Sequence, residues 1–199
     1  MNKRYICIFV IFFIFYNSSL LAGDFNAYDK QGEQRVKEFI NSTAQKIMNI
    51  LKLNTSDQQK QDALRDIFFH VMDVDWIERF VIGRHFVNMT EMQKNLYKKY
   101  YKDFLSNFYV EQFTKYNNQT LDVVNIKKLS NTQYIVTTNI VDDTKNYSVA
   151  YRIKQDGYNF KIRDIIAEKI SLIITQRSEF NSIISKNGIN GLIQSLKKK

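Results

Sequence analysis

The chain has 199 residues, with 29 Lys and Arg against 20 Asp and Glu for a formal charge of +9, two histidines, one cysteine and no proline. That length suits one domain with a real core and room for a cavity. A lone cysteine excludes a disulfide framework and a thiolate metal site, and two histidines without a third ligand make a poor zinc site.

Met1-Asn2-Lys3-Arg4 carries two cations with no acid before Asp24, and Tyr5 to Tyr16 is an almost unbroken apolar stretch. These are the n-region and h-region of an export signal. The apolar run is shorter than the roughly 20 residues a spanning helix needs. Asn17-Ser18-Ser19-Leu20-Leu21-Ala22-Gly23 follows. A signal peptide over 1–22, cleaved after Ala22, and a single exported domain over 23–199 are therefore expected. Cys7 lies inside the signal, so the mature domain has no thiol, and it keeps 27 basic against 20 acidic residues, a balance of +7. Part of that excess goes with the abundance of Ile, Lys and Asn expected of an AT-rich genome. The remainder suits anionic lipid or an acidic protein face better than nucleic acid.

The first half reads as helices. In Gln31 to Lys52 the apolar positions Val36, Phe39, Ile40, Thr43, Ile47, Ile50 and Leu51 recur every three or four residues. Ser56-x-x-Gln59 has capping-box spacing and predicts a helix over Asp57 to Met72 with Leu64, Ile67, Phe68 and Val71 inward. Asp73-Val74-Asp75 offers the next N-cap, with Glu78 three after Asp75, and Gly83 is placed to end that short helix after Trp76, Ile77, Phe80 and Val81. Thr90-x-x-Gln93 opens the longest helix, Glu91 to Tyr116, whose apolar residues form two rows: Leu96, Tyr100, Phe104, Phe108 and Tyr97, Tyr101, Leu105, Tyr109, Phe113.

After Asn118 the period becomes two. Leu121 to Lys128, Tyr134 to Val141, Tyr147 to Ile153 and Tyr158 to Ile166 predict four strands, separated by Ser130-Asn131, Asp142-Asp143-Thr144 and Asp156-Gly157, the last pair a type I′ hairpin signal. Short links make an antiparallel meander, and the class is α+β. From Ser171 the helical period returns, stops at Asn187-Gly188 and resumes through Leu192, Ile193 and Leu196 to a Lys197-Lys198-Lys199 tail.

No nucleophile elbow, phosphate loop or metalloprotease helix is present, so no catalytic or metal residue is assigned. Two polar residues interrupt apolar faces. Alternation puts Phe160, Ile162, Asp164 and Ile166 on one face of the fourth strand, and Arg177 falls between Ile173 and Phe180 in an apolar stripe. Three readings stand: Asp164 and Arg177 satisfy each other or the backbone, Arg177 holds a phosphate, or Asp164 is a general base in a cone-shaped cavity. The aromatic helix faces an equally apolar sheet, Val149, Tyr151, Phe160 and Ile162, and a pocket between the two layers is the default ligand site.

From Val36 onward the chain resembles MlaC, the family of periplasmic phospholipid shuttles also called toluene-tolerance auxiliary proteins. The resemblance rests on an ordered series: Asp75, Gly83-Arg84, Thr90 with Gln93, Tyr109, Tyr116, Asp164, Ser171-Leu172, Arg177, Phe180, Gly188 and Leu192-Ile193. Phe160 stands where members usually carry Trp, and Lys169 where they usually carry Gly. The resemblance implies a non-catalytic periplasmic carrier with phospholipid as its only bound group. It would move lipid between an outer-membrane lipoprotein-porin complex and an inner-membrane ABC transporter complex. The lipid-binding residues expected are Trp76 and Phe80 of the short helix, then Tyr97, Tyr101, Phe104, Phe108 and Tyr109 of the long one. Val149, Tyr151, Phe160, Ile162 and Ile166 would add the sheet, and Ile173, Arg177 and Phe180 the last helix.

Overall fold

The computed structural model describes residues 19–114, 119–141 and 146–198, with side chains from residue 30 onward. Two units are distinguished, Met1–Gly32 and Glu33–Lys199. In the first, the described part is the opening of helix α1 (Ser19–Leu51), which starts ahead of the expected cleavage point. Most of the expected signal peptide lies outside the described residues.

The second unit is α+β, as its sequence predicts. Helix α2 (Asp57–Val71) begins on a complete Ser56–Gln59 capping box, which satisfies donors that a helix start otherwise leaves open. Helix α3 (Val74–Ile82) starts with Asp73, the first residue of the expected cap segment, in the cap position but without a side-chain cap bond. The reason is a stronger partner, since the Asp73 carboxylate accepts from Arg163 at 2.7 Å, while Asp75 pairs with Lys102 at 3.0 Å. A 3-10 segment, Gly83–Asn88, leads to helix α4 (Glu91–Thr114). Thr90 and Gln93 cap α4 reciprocally, at 3.0 and 3.2 Å; the expected end at Tyr116 lies outside the described residues. Of its two aromatic rows, Tyr97, Tyr101, Leu105 and Tyr109 are buried, whereas Leu96 and Phe108 are 36% and 42% exposed.

The sheet is a five-stranded antiparallel meander in sequence order: β1 (Thr120–Ser130), β2 (Gln133–Val141), β3 (Asn146–Asp156), β4 (Asn159–Ala167) and β5 (Ile170–Ser171). The fifth strand was not expected. It exists because Glu168 and Lys169 both take positive φ, 50° and 66°, the type I′ pattern, folding Ile170 back onto Ala167. Lys169 thus adopts a conformation that glycine would hold without strain. At the preceding hairpin, Asp156 pairs with Asn159, so the loop is Gly157-Tyr158 rather than Asp156-Gly157. Only Gly157 of the two has positive φ, which makes the turn type II′ and not I′. The first hairpin likewise turns on Asn131-Thr132, with Ser130 paired to Gln133; the Asp142-Asp143-Thr144 turn lies outside the described residues.

Helix α5 (Leu172–Lys197) breaks at Gly188, whose φ of 69° and ψ of 179° are not helical, so the expected stop is a kink. The Asp164–Arg177 pair does not form. Arg177 reaches α3 instead, donating to the Phe80 carbonyl at 3.2 Å with its guanidinium 5.0 Å from the Phe80 ring centre. That contact ties the open carbonyl end of a short helix to a cation, which the helix dipole favours. Gly83 makes it possible, because a Cβ there would come within 2.9 Å of the guanidinium and φ is +55°.

Glu78 of α3 is fully buried, and neither carboxylate oxygen has a hydrogen bond. Lys98 lies 3.6 Å away. Burial outweighs that cation and pushes the carboxyl above its usual value.

Two outcomes follow for this corner. Gly83→Ala should lower stability by about 1 to 3 kcal/mol through backbone strain alone, and more once Arg177 is displaced; an unchanged melting curve would contradict it. For Glu78, the folded state binds the proton more tightly than the unfolded chain does, so stability falls as pH rises above the usual 4.5. Asp164 is shifted the same way. Glu78→Gln should therefore remove part of that slope, stabilising at pH 7 by roughly 1 kcal/mol, the low end for an unsatisfied buried group because Lys98 offsets part of the cost. Denaturant melts at several pH values check this, and an unaltered slope would contradict it.

Candidate functional site

A cavity of about 490 Å³ lies between the sheet and helices α1, α2 and α4. Helix α1 contributes Ile40, Thr43, Ala44, Ile47 and Met48, and the end of α2 contributes Phe68, Val71 and Met72. Opposite them are Leu121 of β1, Ile140 of β2, Val149 and Tyr151 of β3, and Ile162, Ile165 and Ala167 of β4. The last turns of α4 add Phe108, Tyr109, Gln112 and Phe113, and Leu172 closes the set from the start of α5. Its polar side chains are Thr43, Gln112, Tyr109 and Tyr151. Such a lining gives a hydrocarbon dispersion contacts and offers a charge nothing.

The sheet lines the cavity through a register shift. Arg152 pairs with Asp164 but Ile153 pairs with Ile162, leaving Arg163 as the extra residue of a β-bulge. Beyond it, Ile165 pairs with Tyr151 and Ala167 with Val149. Simple alternation predicts Ile166 on the cavity face, and the bulge moves Ile165 and Ala167 there instead.

Of the residues expected around a pocket, Phe108, Tyr109, Val149, Tyr151 and Ile162 line the cavity. The others lie elsewhere in the same core. Trp76 and Phe80 stack at 4.9 Å on α3, with Arg163 over Trp76 at 4.7 Å. Tyr97 and Tyr101 stack at 5.5 Å, and Phe180 meets both rings edge-on. Phe104 packs beside Tyr101 at 6.3 Å, and Phe160 packs on Phe39 and Tyr134. Ile173 is buried in the first turn of α5, and Arg177 serves the α3 corner. The α1 stripe was the missed part: its period marked it as inward-facing, but only the fold places it against the sheet.

Asp164 is buried beside this cavity, and both its oxygens are engaged. One accepts from the Ser171 hydroxyl at 2.7 Å, the other from the Ile173 backbone N–H at 3.4 Å. Ser171 in turn caps α5 by accepting from the Ile174 N–H. The carboxyl is raised by burial, against the pull of these bonds. Both oxygens of this carboxylate hold the start of α5, so hydrogen bonds within the protein satisfy the buried acid.

Comparison with known proteins agrees with this architecture. The family model described as MlaC protein matches residues 41–198. The toluene tolerance protein ttg2D of Pseudomonas putida is 24% identical over 162 residues, spanning 78% of this chain and 75% of that protein. A phospholipid-binding protein of Ralstonia solanacearum, solved in complex with a phospholipid, shares the fold with a TM-score of 0.72 at 20% identity, over 81% of this chain and 94% of that one. The chain belongs to the MlaC protein family.

Proposed function

We propose that this protein is a periplasmic lipid carrier that takes phospholipid acyl chains into the cavity between sheet and helices. In this reading it ferries them between an inner-membrane ABC transporter complex and an outer-membrane lipoprotein-porin complex, after removal of the export signal over 1–22. The observation that carries the proposal is the cavity itself: about 490 Å³, lined mostly by aliphatic and aromatic side chains, with no charged group among the described residues. Apolar walls of that extent facing water are unfavourable, and a hydrocarbon that fills the space covers them. Family membership and the lipid-bound structural neighbour support the same reading. Binding, with no bond made or broken, accounts for every residue of the lining.

Added bulk distinguishes a cargo cavity from a packed core. Val149 lines the cavity from the first half of β3. In a filled core Val149→Trp would cost roughly 1 to 3 kcal/mol of strain. In a cargo cavity the indole takes space an acyl chain would use. Native mass spectrometry of protein purified from an envelope should find phospholipid on the wild type and much less on Val149→Trp, at nearly unchanged melting temperature. Empty wild type together with a strongly destabilised variant would overturn the carrier reading.

A further inference from the structure

We propose that the Tyr109 hydroxyl is the polar anchor of the cavity, donating a hydrogen bond to the ester carbonyl of a bound lipid; the inference rests on the carrier reading and assigns the linkage chemistry of the cargo. Tyr109 is 7% exposed and lines the cavity. Its ring is fixed, stacked on Phe68 at 5.3 Å and met edge-on by Phe108 at 5.3 Å. It therefore cannot swing its hydroxyl out to water.

Among the described residues that hydroxyl has no hydrogen-bond partner. Of the acceptors nearby, Asp164 already takes bonds from the Ser171 hydroxyl and the Ile173 N–H. Nor is the oxygen sealed in, because among the described residues the fully occluded polar side-chain atoms without a partner belong to Glu78 alone. The space beside Tyr109 is the cavity that it lines. An unpaired hydroxyl in an apolar site is unfavourable and is relieved by any acceptor that arrives with the ligand. Burial, with Asp164 and Tyr151 adding to it, raises the phenol well above its usual range, so it stays protonated and able to donate.

Position selects the acceptor. Gln112, one turn further along α4, is exposed and lines the same cavity, and Phe108 is half-exposed. This is the end where a polar head would meet water while the chains lie inward. Tyr109 stands between these two residues on α4, so the linkage between head and chains is the part of the cargo nearest it. Diacyl lipids carry carbonyl oxygens there; ether-linked lipids have only the weakly accepting ether oxygen.

The test compares diacyl phosphatidylglycerol with its dialkyl ether analogue of equal chain length, by equilibrium displacement of a fluorescent lipid from full-length mature protein. Wild type should bind the ester lipid roughly fivefold more tightly, the effect of one neutral hydrogen bond. Tyr109→Phe should bind both with the wild-type ether affinity and melt no lower than wild type, having lost an unpaired hydroxyl. Equal wild-type affinities would overturn the anchor and leave the carrier reading standing, as would a Tyr109→Phe protein that keeps the ester preference. Wild type that binds neither lipid would overturn the carrier reading, and the anchor with it.

Discussion

The Asp164 carboxylate, held by Ser171 and by the first turn of α5, is the contact on which the arrangement of helices depends. It joins the end of the sheet to the start of α5 across a two-residue strand, where the chain reverses on two consecutive positive-φ residues. A helix start offers open N–H groups and a partial positive charge, so an anion there is favourable even when burial penalises it. With its start fixed, α5 delivers Gln176 to Tyr101 of α4 at 2.5 Å, Arg177 to the Phe80 carbonyl of α3, and Phe180 to the Tyr97–Tyr101 stack. One clamp sets the register of three helices.

The consequence for function is a division of the interior. Where α3, α4 and α5 meet, aromatic rings interlock and Tyr97 and Tyr101 are completely buried. Where α1, α2 and the end of α4 face the sheet, the layers enclose a cavity. A twisted sheet and straight helices diverge as they extend from their closest contact. The bulge at Arg163 adds to this by turning β4 so that the small Ala167 faces the gap beside Val149. The two regions share one chemistry, aliphatic and aromatic side chains, and differ in whether partners are close enough to fill the space.

That difference explains what was legible in the sequence. Periodicity gave the helices, the antiparallel meander and the breaks at Gly83 and Gly188, because each depends on local pattern and on one or two special residues. The capping boxes at Ser56 and Thr90 are local in the same way and form as read. Pairing between distant residues was not legible. Arg177 stands thirteen residues after Asp164 in an apolar setting, which invites an ion pair, yet the helix start captures the acid and the end of α3 captures the guanidinium. Nor does alternation reveal a bulge, so Ile166 was assigned the place that Ile165 occupies. Trp76, Tyr97 and Phe180 look the same in sequence as Phe108 and Tyr109, since all are aromatic residues at inward helical positions; only the spacing between layers separates core from cavity wall.

The central claim, that this gap receives a hydrocarbon chain, is tested most directly by affinity as a function of chain length. For a series of single-chain phospholipids with one head group, each added methylene should strengthen binding by about 0.8 kcal/mol, close to fourfold, until the chain fills the cavity and the gain stops. Affinity that ignores chain length and follows the head group alone would contradict the account.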